Sequence, residues 1–223
     1  MKIIVKNPKN LPLGTLKSLQ KCFRWIPELD LVGLDHVVVD QKITDLSRVR
    51  IREQWKCVTD PITIRAVYSG RNGDSPAFIT FFLDSMFLPF EIMFRFPPIT
   101  TLNFSHIVAH EVGHHLVATR GYVFEPGEKY RSIEFEEEMA NRYAFGVVQR
   151  MKERWHYRLA DSSLKFLSKM HFEDGRQKWK RDDYAAAATA WYKAWLLDLD
   201  NEKASDLYWE AKKRSESTGE VRL

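Results

Sequence analysis

Cysteine is scarce: Cys22 and Cys57 are the only two among 223 residues. Two thiols are too few for a disulfide framework or a four-cysteine zinc knuckle, so the chain reads as reduced and cytoplasmic. A clean bilayer-spanning run is missing. The longest apolar stretch, 77–94, carries Asp84 and Glu91 and is cut by Pro89, which argues against a membrane partner. The first 14 residues hold only Ile3, Ile4 and Val5 as a consecutive apolar run, too short for the core of a signal peptide. Charge of one sign is not concentrated either. The net charge is +4, and no run gathers the Lys and Arg, which argues against nucleic acid as a partner.

What is present is material for a core. The chain is 44% hydrophobic and 13% aromatic against 29% charged, a balance that folded domains show and disordered chains do not. The apolar spacing of Leu13, Leu16, Leu19 and Phe23 predicts a helix over 13–25, stopped by Pro27. Runs rich in β-branched and aromatic residues at 36–39, 62–68 and 78–83 predict three strands of a small sheet, the last two forming a hairpin. Asn103 stands as the expected N-cap of a helix from 104 to about Arg120, closed by Gly121. An i, i+4 stripe of Phe135, Met139, Tyr143, Val147 and Met151 predicts a second long helix over 133–155. Beyond Arg158 the composition shifts to Ala, Trp and Lys, with helical patterns at 184–197 and 204–214. The expected organisation is an α+β domain over 1–158, its small mixed sheet packed on the 104–120 helix, and an α-helical extension over 159–223.

Residues 110–114 read His-Glu-Val-Gly-His, the H-E-x-x-H pattern, inside the 104–120 helix. Positions i and i+4 of a helix lie one above the other, so His110 and His114 can offer imidazole nitrogens to one tetrahedral Zn²⁺. Glu111 projects beside them and is placed to take a proton from an attacking water and return it to a leaving amine. A catalytic zinc keeps three protein ligands and one open position. A histidine six residues after His114 would be one solution, but that position is Arg120. The other common solution is a glutamate on a following helix. There Glu137 and Asn141 share a face, which assigns Glu137 as third ligand and Asn141 as the partner that holds the far nitrogen of a ligating histidine. Gly113 lets another backbone approach this point closely.

His110-Glu111-x-x-His114 followed by Glu137-x-x-Ala140-Asn141 resembles the gluzincin metallopeptidases. Within them the chain is similar to the ImmA/IrrE-like family, whose helices read approximately H-E-L-G-H-H and E-x-E-A-N-x-F-A. The resemblance implies a zincin-like fold, His110, His114 and Glu137 as zinc ligands, Glu111 as general base, and a protein or peptide substrate hydrolysed at a peptide bond. Met139 and Tyr143 depart from the family pattern, which has Glu and Phe there.

Other residues carry weaker expectations. His106 continues the stripe of His110 without being needed as a ligand, and His115 points away from it as a surface or packing residue. Tyr122, His156 and Tyr157 are the candidates for an oxyanion-stabilising donor. The 78–83 strand is placed either to take an extended peptide at a sheet edge or to sit in the core, and the apolar loop 87–96 to pack on the C-terminal helices. Residues 175–201 resemble part of a tetratricopeptide repeat through Gly175, Tyr184, Ala187, Trp191 and Ala194. One such repeat cannot bury both its faces, so these helices are expected to dock, with a protein partner open to them. The alternative to a peptidase is a non-catalytic regulatory or protein-binding module that keeps the zinc fold and acts through the C-terminal helices.

Overall fold

The computed structural model describes residues 2–6, 14–40, 66–70, 76–83, 96–120, 133–198 and 200–217, the side chains of 133 and 134 excepted. It is an α+β fold. Among the described residues the order is β1 (Lys2–Val5), α1 (Thr15–Phe23), a 3-10 turn (Glu28–Leu31), β2 (Leu34–Asp40), β3 (Ala66–Ser69), β4 (Ala77–Phe82), α2 (Pro97–Arg120), α3 (Ile133–Lys152), α4 (Trp155–Trp179), α5 (Tyr184–Leu197) and α6 (Glu202–Ser217). The chain divides into two compact units, Met1–Tyr157 and Arg158–Leu223.

In the first unit the strands form one mixed sheet in the order β1-β2-β4-β3. β1 and β4 both run parallel to β2, and β3 pairs antiparallel to β4 with Tyr68 opposite Ile79. The hairpin of β3 and β4 forms as the β-branched runs predict. Of the two placements open to 78–83, the core one holds. β4 is an interior strand flanked by β2 and β3, which is why Ile79, Phe81 and Phe82 are buried, and β3 holds the edge among the described residues. β1 went unpredicted because its three apolar residues are too few for a strand pattern until a partner strand supplies the ladder.

α2 is the centre of this unit. Its buried residues lie all round the helix, from Leu102 and Phe104 through Ile107, Val108 and Val112 to Leu116 and Val117, as expected of a helix enclosed on every side. One core joins it to the sheet (Val37, Val39, Ile79, Phe81), to α1 (Leu19, Cys22) and to α3 (Ala144, Val147). The helix also starts earlier than its predicted cap. Pro97 and Pro98 occupy its first turn, where a missing N–H leaves no bond unmade, so Asn103 lies inside the helix. α3 buries Ala140, Ala144, Val147, Val148 and Met151, while Phe135, Met139 and Tyr143 are half-buried. Its inner face is thus turned from the predicted apolar stripe toward small alanines.

The second unit is helical. Asp183 caps α5 by accepting from the Ala186 N–H at 3.0 Å. Trp191 packs with Ala187, Ala188, Tyr208 and Ala211, and its indole N–H donates to the Phe172 carbonyl at 3.1 Å. Gly175 lies in the interior of α4, where an added Cβ would stand 2.5 Å from Nε1 of Trp191. The glycine therefore serves close packing between the two arms of a helical hairpin. Arg214 lies 4.5 Å over the Trp179 ring. No helix among the described residues is long and apolar enough to cross a membrane.

Candidate metal centre

The helical spacing of 110 and 114 puts both imidazoles on one side of α2, and α3 crosses that side. The crossing is tight because Gly113 has no side chain: a Cβ there would lie 2.6 Å from the Cα of Ala140. Glu137, Ala140, Asn141 and Ala144 follow at helical spacing, so the face of α3 that meets α2 carries Glu137 and Asn141 at the level of the histidines. The apolar contact and the polar cluster thus have one cause, the close approach of two helices at Gly113.

The resulting geometry is compact. Nε2 of His110 and Nε2 of His114 are 3.1 Å apart. The Glu137 carboxylate places one oxygen 3.3 Å from His110 Nε2 and the other 3.4 Å from His114 Nε2. Ligands roughly 2.0–2.1 Å from a tetrahedral zinc stand about 3.3 Å from one another. The two nitrogens and the two carboxylate oxygens thus stand at separations close to those between ligands of one zinc ion. These three residues form a group able to hold a metal ion, and two imidazoles with one carboxylate suit a divalent transition ion better than a hard alkaline-earth ion.

Around the cluster the partners differ. Nδ1 of His110 lies 2.9 Å from Oδ1 of Asn141. A side-chain carbonyl only accepts, so Nδ1 carries the proton and Nε2 of the neutral ring presents its lone pair to the centre. His114 and Glu111 are buried, His110 and Glu137 half-buried, and Asn141 exposed. Burial pushes Glu111 above the ordinary carboxylate range, against the pull of His110, His114 and the backbone N–H of Tyr68. Burial also acts to raise Glu137, but the His110 and His114 imidazoles beside it outweigh this and hold that carboxyl at about 2. For His110, burial opposes the charged form, while Glu137, Glu111 and Asn141 more than offset this and raise its pKa. Two neighbouring carboxyls thus differ in proton affinity: Glu137 is held ionised, and Glu111 is pushed toward its neutral form.

The structure brings together His110, Glu111, His114, Glu137 and Asn141. His106 is half-buried one turn earlier on α2. Of the oxyanion candidates, Tyr157 packs edge-on against Trp25 and is held near Thr101, roughly 13 Å along α2 from His110. His156 lies tilted against Tyr157, ring centroids 4.3 Å apart. Tyr122 lies outside the described residues, as does the apolar loop up to 95. Of the surface and packing roles open to His115, the packing one holds: it is fully buried, with both ring nitrogens bonded. Tyr143 donates its hydroxyl proton to Asp30 at 2.6 Å, and Asp30 also pairs with Arg120 at 2.9 Å. Sequence reading missed this cluster because its members are far apart in the chain; the one signal was a tyrosine where the resembling family has phenylalanine. No family model, curated protein or solved structure matches the chain.

Proposed function

We propose that this chain is a zinc-dependent metallopeptidase that hydrolyses peptide bonds. The observation that carries the reading is the His110–His114–Glu137 cluster, with nitrogen–nitrogen and nitrogen–oxygen contacts of 3.1, 3.3 and 3.4 Å, standing beside a buried Glu111 that is not one of its members. On this reading the mixed sheet packed on α2 is the zincin-like arrangement, and His110, His114 and Glu137 hold the ion. Zinc, when bound in such a site, polarises a carbonyl and lowers the pKa of a water to about 7.

The chain's own residues supply the rest. Asn141 fixes the His110 ring so that Nε2, not Nδ1, faces the centre. Glu111 accepts a proton from the attacking water at its carboxylate, holds it because burial favours its neutral form, and passes it to the leaving amine. Protein or peptide is the substrate class on this reading, the cleaved bond giving an amine that takes up the returned proton.

The test combines elemental analysis of the purified chain with cleavage of an unfolded protein. Wild type is expected to carry one zinc, Glu137→Ala to lose it, and Glu111→Gln to keep it while losing at least about 100-fold in cleavage rate. A wild type without zinc sinks the reading. One that holds zinc and cleaves nothing transfers the fold to the alternative, a regulatory or protein-binding module acting through the C-terminal helices.

A further inference from the structure

α2 carries two i, i+4 pairs, offset from each other by one residue. His110 and His114 face α3; Glu111 and His115, about 100° round the helix, share a different side. Tyr68, on the edge strand β3, meets both members of this second pair. Its hydroxyl lies 3.2 Å from Nδ1 of His115, and its backbone N–H faces the Glu111 carboxylate and acts to lower that group's proton affinity. The other nitrogen of His115, Nε2, lies 2.9 Å from the carbonyl oxygen of Val32. That oxygen only accepts, so Nε2 bears the proton, and Nδ1 of the neutral ring accepts from the Tyr68 hydroxyl. The ring is fully buried. Gly33, at φ +90, turns the chain into β2 beside it.

An edge strand of four residues is poorly held by its one neighbour. β3 pairs only with β4 among the described residues, and short edge strands sit at the low-stability end of a fold. Its side chain at 68 is anchored to a residue that is itself tied to Val32.

We propose that His115 is a positioning residue for Glu111: by binding the Tyr68 hydroxyl and the Val32 carbonyl it fixes β3, and so keeps the Tyr68 N–H facing the Glu111 carboxylate. This rests on the reading of Glu111 as the proton acceptor of a peptidase. His115 itself touches neither the His110–His114–Glu137 cluster nor a substrate; it acts through Tyr68.

The experiment reads residue-resolved amide exchange at Tyr68, zinc content, and kcat and KM separately, in wild type, His115→Phe, His115→Gln and Tyr68→Phe. His115→Phe and Tyr68→Phe are expected to speed exchange at the Tyr68 amide at least about tenfold and to lower kcat about 10- to 100-fold, with KM and zinc content unchanged. His115→Gln, which keeps one donor and one acceptor, is expected to recover most of both losses. Should His115→Phe fail to fold, Tyr68→Phe, which removes a single oxygen, decides. Exchange and kcat within twofold of wild type in the folded variants overturn the proposal. A wild type that cleaves nothing overturns the peptidase reading instead; the pinning of β3 is then decided by exchange, supported if the variants exchange faster and overturned if they do not.

Discussion

Gly113 and Ala140 touch backbone to backbone: a Cβ on the glycine would fall 2.6 Å from the alanine Cα and 3.1 Å from its carbonyl oxygen. This contact sets how close α2 and α3 lie. It sits between His110 and His114 on one helix and three residues beyond Glu137 on the other, so it also sets the size of the His110–His114–Glu137 cluster.

Gly113→Ala should therefore be destabilising even though alanine is the better helix former by about 1 kcal/mol. The new methyl group meets main chain, which cannot swing aside, and overpacking of this kind costs about 1–3 kcal/mol. The helices must part and the cluster must open. A lower urea midpoint together with loss of zinc is the expected result; a midpoint at or above wild type with zinc retained would show that the helices can yield without disturbing the site.

Asn141 is exposed and contributes little to the core, so its removal separates metal binding from folding. Asn141→Ala should weaken zinc affinity by about 10- to 100-fold, because His110 loses the acceptor that fixes its ring. The thermal midpoint of the metal-free protein should hardly move. Arg142→Ala, one residue on, breaks only an exposed pair with Glu138, and is expected to shift stability by no more than about 0.5 kcal/mol and zinc affinity not at all. Competition titration with a chromophoric chelator distinguishes the two variants.

Cys22 makes stability sensitive to alkali. Its thiol is fully buried between α1 and α2, donating toward the carbonyls of Ser18 and Thr101, and burial pushes its pKa from 9.0 up to about 12. Between those values the unfolded chain has released the thiol proton and the folded chain has kept it. Stability is therefore unaffected below about pH 9 and falls as pH rises through the window, by up to ~1.4 kcal/mol per unit. In urea titrations, the stability advantage of wild type over Cys22→Ala should shrink between pH 8 and pH 10.5. An advantage independent of pH would show that the thiol ionises as readily in the fold as out of it.

The residues of the candidate site were legible in the chain because most of their geometry is local. Four-residue spacing on a helix aligns His110 with His114 whatever surrounds them, and the same rule places Glu137 with Asn141. The helices themselves were legible where the apolar period was strong, at α1, α2, α3, α5 and α6. Their ends were less so: Pro97 and Pro98 begin α2 where proline suggests a stop, because the first turn of a helix asks for no N–H from them. The 25-residue α4 was overlooked, since Leu159, Phe166 and Met170 are exposed and mark no buried stripe.

What the sequence determined by itself, then, is which side chains share a helix face and which residue types a metal would find there. Only the tertiary structure decided how those faces meet. The meeting of α2 with α3 depends on a missing methyl at Gly113, the choice of β3 rather than β4 as the edge depends on strand pairing between distant segments, and the burial of His115 depends on Val32 and Tyr68 arriving from two other elements. Each is a contact between residues far apart in the chain, and periodicity along one element carries no information about which surface a second element will bring to it.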